Sequence, residues 1–259
     1  MSVIAAFLTG LCSLVVLFSL VWLVQLRTRN AGLIDAVWAW SLGWLALLYA
    51  WSGSAPLQLR VLLAILGGGW GLRLGTHLFL RNHGKPEDGR YRRFREQWAG
   101  AADRKMFWFF QFQAVFSMLL SVSFAAVAWS GREPGSLCAA AAVLLWLVSV
   151  IGEGVADLQL ERFKRDPANR GQVCRQGLWY YSRHPNYFFE CLHWLVYVPL
   201  AAGGSWWWLT LAAPLVMAYL LLKLSGVPLT EAQSARSRPG YAEYIRTTSV
   251  LIPWPPKKS

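Results

Sequence analysis

Seven apolar stretches, each long enough to cross a bilayer as a helix, recur along this chain of 259 residues. The hydrocarbon core of a bilayer is about 30 Å thick, and a helix that crosses it needs about 20 mostly apolar residues. Charged residues make up 15% of the chain, whereas a soluble domain has about 25%. The sequence therefore predicts an all-α integral membrane protein in which residues 1–259 form a single seven-helix membrane domain. The predicted spans are about 3–26, 31–51, 57–80, 106–129, 137–160, 185–203 and 206–224.

Basic residues are concentrated in alternate connections between these spans. Lys and Arg number 25 against 13 Asp and Glu, which gives a formal net charge of +12. If the N-terminus lies outside, the inner segments 27–30, 81–105, 161–184 and 225–259 hold 21 of the 25 basic residues. This is the positive-inside asymmetry of membrane proteins, and it predicts a cytoplasmic C-terminus. Topology and contact with anionic lipids account for the charge, so nucleic acid is not an expected partner.

The sequence excludes several classes of site. Four cysteines lie far apart without a CxxC pair, so neither a disulfide scaffold nor a zinc or other metal site is expected. A GxGxxG motif is absent, which excludes a Rossmann domain. Any dinucleotide would have to bind among helices and loops.

Ionisable side chains inside the predicted spans need an explanation, because each costs about 3 kcal/mol to insert at the centre of a membrane helix. These residues are Asp35, Arg73, His77, Glu153, Asp157, Glu190 and His193. A spacing of four residues puts Arg73 and His77 on one helix face, and likewise Glu153 and Asp157. The two pairs could face one cavity that opens toward the cytoplasm. Alternatively, these groups pair with one another and lock the bundle.

The basic inner loops offer groups that bind phosphate. Asn82 and Lys85 lie in the loop at 81–105, and Lys164, Asn169 and Arg170 lie in the loop at 161–184. Arg presents a forked donor to phosphate and Lys a point charge. Acids near one membrane face together with basic loops indicate a site for a polar ligand that carries phosphate.

The segment at 177–194 carries the most specific pattern. Arg183, His184 and Asn186 surround Pro185, which suits the first turn of the predicted sixth span. Asn186 then lies near a helix N-terminus that can hold an anion or an amide, and Glu190 follows one turn later on the same side. The alternative is an interfacial turn whose aromatic residues belong to the aromatic belt. Those residues are Trp179, Tyr180 and Tyr181.

These motifs resemble the bacterial steroid 5-alpha-reductase-like family, also called the DUF1295 family. The signature covers Gly177 to Glu190 and contains the run Ser-Arg-His-Pro-Asn-Tyr. The resemblance extends over about residues 30–253, in the family's order. The other matching stretches are Asp35-Ala-Val-Trp38, Asn82-His-Gly-Lys-Pro86, Glu87-Asp88-Gly-Arg-Tyr91, Gly152-Glu153 with Ala156-Asp157, and Ser225-Gly-Val-Pro-Leu-Thr-Glu231 with Tyr241 and Tyr244.

The resemblance implies a membrane-embedded, NADPH-dependent reductase that acts on the Δ4 double bond of a 3-oxo steroid or a similar lipid enone. By analogy with the animal enzymes, it implies cofactor contacts at six positions. Tyr181 matches a Tyr of the animal enzymes, and Glu153 lies where they have an Asn. The six positions are Asn82, Lys85, Asp157, Lys164, Asn186 and Glu190. The predicted cofactor site also includes Asn169, Arg170, Arg183 and His184. The Gln-Glu pair that the animal enzymes place near the ketone has no clear match, and their assisting Tyr falls near Leu78, beside His77.

Enone reduction needs an acid group at the substrate carbonyl, because negative charge develops on that oxygen during hydride transfer. Asp35 is the first choice for this donor and His77 the second, with Tyr181 and Glu190 as further candidates. The expected location is a multi-pass membrane protein, in the inner membrane of a bacterium if the source is bacterial, and a monomer is expected. The alternatives are an S-adenosylmethionine-dependent membrane methyltransferase of the isoprenylcysteine or phospholipid type, and a transporter or receptor.

Overall fold

The computed structural model describes residues 1–257, and every regular element in that range is helical. Within the described residues, extended backbone pairs at one point, a parallel bridge between Ser182 and Ser249. The chain divides into two compact units, one made of Met1–Gly135 with Leu200–Ala213 and the other of Ser136–Pro199 with the segment that starts at Pro214.

The first unit is a bundle of long apolar helices. Its helices are α1 (Val3–Thr28), α2 (Leu33–Ser52), α3 (Leu57–Leu63), α4 (Gly69–Asn82), α5 (Gly89–Trp98) and α6 (Ala102–Ala128). A π-helical segment at Ala64–Gly68 joins α3 to α4, so the two run on as one long helix. Gly43 and Gly71 let α2 and α4 approach closely, because a Cβ at Gly71 would overlap the backbone of Gly43.

The second unit contains the longest helix and the polar segment that follows it in sequence. Its helices are α7 (Ser136–Arg165), α8 (Leu178–Tyr181), α9 (Pro185–Trp194), α10 (Tyr197–Leu200), α11 (Ala212–Tyr219), α12 (Val227–Ser237) and α13 (Tyr241–Thr247). Helix α11 is continued by a π-helical segment at Leu220–Leu224, and Ser225 and Gly226 separate that segment from α12. The segment at 249–257 has no helix.

Six helices are long and apolar enough to cross a membrane, which is the pattern of a multi-pass membrane protein. They are Val3–Thr28, Leu33–Ser52, Leu57–Asn82, Gly89–Ala128, Ser136–Arg165 and Trp207–Ser237. Each overlaps one of the predicted spans over most of its length, so the prediction of an all-helical membrane protein is confirmed.

The predicted span at 185–203 is not confirmed as a single membrane helix. Helix α9 ends at Trp194, and a turn separates it from the four residues of α10. Ten residues extend about 15 Å at 1.5 Å per residue, which is half of a bilayer core. The sequence could not show this break, because apolar residues continue through it.

Candidate functional site

One face of α7 carries three of the predicted site residues. Glu153, Asp157, Leu160 and Lys164 are separated by four, three and four residues, and this spacing keeps all four side chains on one side of a helix. Glu153 is 5% exposed, whereas Lys164 lies at the exposed end of the helix. The face therefore runs from a buried carboxyl group to an exposed amine.

Helix α9 packs antiparallel along this face. Its Asn186 donates from Nδ2 to Asp157 Oδ1 at 3.4 Å, and one turn later the Phe189 ring fills the space that Gly152 leaves. A Cβ at Gly152 would overlap that ring, so the close approach of the two helices depends on this glycine. Pro185 occupies the first turn of α9, as predicted, where its missing N–H has no intrahelical partner to lose.

The side-chain amide of Asn186 is only partly satisfied. Its Oδ1 is buried and accepts no hydrogen bond from residues 1–257. A buried acceptor without a donor costs about 1–3 kcal/mol, so such an atom in a native site indicates a missing partner. Asp157 fixes the orientation of this amide from the other side by accepting from Nδ2.

Glu190 lies deeper in the second unit, next to other buried polar groups. It is 7% exposed and accepts a hydrogen bond from Trp194 Nε1 at 3.1 Å. One turn further, Tyr197 OH and His193 Nε2 lie 2.9 Å apart. Asn186 and Glu190 thus share α9 with a run of buried hydrogen-bonding side chains, as the four-residue spacing predicts.

Arg183 and His184, which were predicted as cofactor contacts, bind residues of the C-terminal segment. Arg183 donates from Nε to Glu231 Oε1 at 2.7 Å and from Nη1 to the carbonyl oxygens of Ile245 and Thr248. His184 Nε2 lies 3.2 Å from the same Glu231 oxygen. Because both side chains are almost fully buried in these contacts, they hold the C-terminal segment against the start of α9.

Glu231 is the principal residue of this cluster that sequence reasoning missed as a site residue. It belongs to the run Ser225 to Glu231, so the signal for it was present in the matched motif. A sequence motif does not show which distant cation a carboxylate meets, and here the partners lie 47 and 48 positions away.

Tyr244 of α13 binds the backbone of α8 and of the residue that follows it. Tyr244 OH lies within hydrogen-bond distance of the carbonyl oxygens of Trp179 and Ser182, and Trp179 Nε1 donates to the Ala156 carbonyl at 2.9 Å. Burial raises the pKa of Tyr244, which keeps its hydroxyl a neutral donor. Tyr181, a predicted site residue, instead exposes 44% of its surface and packs edge-on against Tyr180.

A small cleft of about 110 Å³ opens at the exposed end of α7. The predicted Lys164, Asn169 and Arg170 line it together with Arg238, and none of its lining residues is acidic. Asn169 donates from Nδ2 to the Phe163 carbonyl at 3.1 Å, which holds the loop after α7 in place. A cleft with three cations and no acid is suited to an anion such as phosphate.

Asp35, in the first unit, is an ion-pair partner. Its Oδ2 accepts from Arg90 Nη2 at 2.7 Å and its Oδ1 from Tyr91 OH at 2.5 Å. Asp88 caps α5 and accepts from the backbone N–H of Arg90. Burial alone would raise the pKa of Asp88, but the hydrogen bonds and charge of Arg90 outweigh it and lower that pKa. This arrangement gives no support to Asp35 as a neutral acid, because both of its oxygens already accept from these donors.

The remaining predicted residues of the first unit have separate surroundings. Asn82 donates from Nδ2 to the Gly32 carbonyl at 3.1 Å and so joins the end of α4 to the start of α2. Lys85 lies on the exposed loop after α4, and His77 is half-buried on α4, one turn after Arg73. The predicted site residues are thus divided, with Asp35, His77, Asn82 and Lys85 in one unit and the others in the second.

The profile of the family described as "Protein of unknown function (DUF1295)" matches residues 21–248. The chain belongs to the DUF1295 family. No curated protein and no solved structure matches it. The matched range includes both units and every residue of the predicted site, so the DUF1295 part of the predicted resemblance is confirmed.

Proposed function

We propose that this DUF1295 protein is an NADPH-dependent reductase that saturates the double bond of a lipid enone, such as the Δ4 bond of a 3-oxo steroid. The observation that carries the proposal is the buried Asn186 Oδ1, which accepts no hydrogen bond from residues 1–257, together with a cleft lined by three cations at the end of the neighbouring helix α7. A nicotinamide carboxamide provides N–H donors, and the rest of the dinucleotide carries phosphates. The residues present therefore fit both ends of this cofactor.

In this proposal, the chain holds the cofactor along α7. Asn186 Oδ1 accepts from the carboxamide N–H, and Asp157 keeps the Asn186 amide in the orientation that exposes this oxygen. Lys164 and Arg170 neutralise the phosphates at the other end. Glu153 and Glu190 lie at the buried end, where the ring would be enclosed away from water.

When bound, the reduced nicotinamide supplies the hydride that is added to the β-carbon of the enone. The protein must align the substrate with it and must stabilise the negative charge that develops on the carbonyl oxygen. Asp35 is held by Arg90 and Tyr91, and the candidates for the donor in the same unit as Asn186 are Tyr181 and Glu190.

We also propose the seven-crossing topology with a cytoplasmic C-terminus and a site that opens to the cytoplasm. Arg183 contacts Glu231 of α12 and Ser182 contacts Leu251, which supports a topology in which the chain just before α9 and the chain at and after α12 share one membrane face. The helix at Trp207–Ser237 accounts for one crossing between these points. Return to the same face requires a second crossing, which supports the predicted one at 185–203 despite its break.

The experiment that tests the function is a ligand-binding and turnover assay on detergent-purified protein. NADPH is expected to raise the melting temperature by mass action, and S-adenosylmethionine is expected to leave it unchanged. Purified protein is then given NADPH and a series of 3-oxo-Δ4 steroids and other lipid enones, with NADPH oxidation as the readout. A shift with S-adenosylmethionine alone would favour a methyltransferase, and a shift with neither compound would overturn the assignment.

Neighbouring cations at the end of α7 provide matched variants for this assay. Lys164 lines the cleft, whereas Arg165 forms an exposed ion pair with Glu161. Lys164→Ala is expected to weaken NADPH binding about tenfold, the value of one charge-assisted hydrogen bond, and Arg165→Ala is expected to leave it unchanged. Asn186→Ala should also weaken NADPH binding while the protein remains folded, and near-normal turnover of that variant would contradict the carboxamide assignment.

A further inference from the structure

The cleft at the end of α7 draws its cations from three separate parts of the second unit. Lys164 belongs to the last turn of α7, Arg170 to the loop that follows, and Arg238 to the residue directly after α12. Burial raises the pKa of the Cys174 thiol, and the charges of Arg238 and Lys164 pull that pKa down. Lys164, Arg238 and Cys174 line the same small cleft.

The position of the cleft along α7 fixes which part of a dinucleotide can reach it. Asn186 contacts α7 at Asp157, and Lys164 follows seven residues later, about 10 Å along the helix axis. With the carboxamide at Asn186, the pyrophosphate lies between these two levels and the adenosine half reaches the cleft. Phe163 and Leu160 line the cleft and offer apolar surface to the adenosine half.

Two hydrogen bonds to Ser234 position Arg238. Its backbone N–H donates to the Ser234 carbonyl at 2.9 Å and its Nη1 to Ser234 Oγ at 3.3 Å, while Arg170 is exposed on a loop. A guanidinium held in this way presents a fork of donors that matches a phosphate monoester better than a single ammonium does.

We propose that the cleft formed by Lys164, Arg170 and Arg238 is the subsite for the 2′-phosphate of the cofactor, and that Arg238 is the residue that selects NADPH over NADH. This inference rests on the proposed function, since it assigns one group of the proposed cofactor. Without the 2′-phosphate, as in NADH, the three cations have no anion to meet at this end of the site.

The experiment compares the full-length wild type with Arg238→Ala and with Arg236→Ala, which removes an equal charge from an exposed position on α12. The dissociation constants for NADPH, NADH and 2′,5′-ADP are measured for each protein in detergent. Arg238→Ala should weaken binding of NADPH and 2′,5′-ADP about 10- to 100-fold and leave NADH unchanged, the effect of losing one charged hydrogen-bond donor. Arg236→Ala should change none of the three, and Arg238→Lys should recover part of the NADPH affinity.

The outcomes separate this inference from the function on which it rests. If the wild type binds neither NADPH nor NADH, the reductase assignment itself fails. If the wild type binds NADPH and Arg238→Ala weakens NADPH and NADH equally, or weakens neither, the reductase assignment stands and the role of Arg238 is overturned. If Arg238→Ala does not fold, Arg170→Ala takes its place, because Arg170 lies on an exposed loop. The proposal then requires that Arg170→Ala weakens binding of NADPH and 2′,5′-ADP but not of NADH.

Discussion

At the scale of single residues, a polar group inside an apolar helix is easy to find from the sequence, but its role depends on the partner that it meets. Asp35 and Asn186 were both identified as candidates in the sequence. Two donors from the start of α5 occupy Asp35, whereas Asn186 retains an acceptor that residues 1–257 leave unused. The difference between an ion-pair partner and a side chain with an unused acceptor is therefore visible only when long-range contacts are known.

Replacement of Asp35 by Asn tests this division. The ion pair with Arg90 is lost while a hydrogen-bond acceptor for Tyr91 is kept, so we expect the free energy of unfolding to fall by about 1–3 kcal/mol. Turnover per folded molecule should stay near that of the wild type. Thermal unfolding and kcat are measured together, with Glu161→Gln as the control, because its pair with Arg165 is exposed and is worth at most about 1 kcal/mol. A variant with unchanged stability and abolished turnover would return Asp35 to the role of acid.

At the scale of helices, apolar length predicted six of the seven spans well, because burial in lipid requires an unbroken run of apolar residues. The same criterion failed to locate the end of α9 at Trp194. It also could not predict the contact between α7 and α9, since a glycine in an apolar helix gives no indication of the ring that covers it. Gly152 is the residue on which this contact depends.

Two glycines two residues apart on α7, which point to different sides of the helix, make the contact testable. Gly152→Ala should push the Phe189 ring away, lower the free energy of unfolding by about 1–3 kcal/mol and weaken NADPH binding, because Asn186 lies on the displaced helix. Gly154→Ala is the control, since a Cβ there meets nothing within 4 Å and should instead add up to about 1 kcal/mol through helix propensity. Melting temperature and NADPH affinity are the measurements.

Combining Gly152→Ala with Phe189→Leu should recover part of the loss, and equal effects of the two glycine variants would refute the packing argument.

At the scale of the whole molecule, charge asymmetry and side-chain contacts support the same topology by independent routes. The distribution of basic residues predicts that the segments at 161–184 and 225–259 lie on one side of the membrane. The contacts of Arg183 with Glu231 and of Ser182 with Leu251 put parts of the same two segments together. The sequence supplies only the argument from charge, because no local sequence pattern indicates hydrogen bonds between residues that are 48 and 69 positions apart.

The seven-crossing topology predicts which side of the membrane single cysteines face. Gly204 packs against Ser130, so the connection after α10 lies on the same side as the connection between α6 and α7. In a background without the four native cysteines, Ser205→Cys and Arg132→Cys should react with a membrane-impermeant maleimide from the same side, and Ala168→Cys and Ser237→Cys only from the opposite side.

A chain that crosses six times, without a crossing at 185–203, would instead place Ser205 with Ala168 and would put Ser237 on the other side. Labelling of sealed and opened vesicles distinguishes the two patterns, because Ser205 and Ser237 exchange sides between them. The break at Trp194 does not weaken this expectation, since backbone that leaves the helix within a membrane is tolerated where neighbouring protein satisfies it.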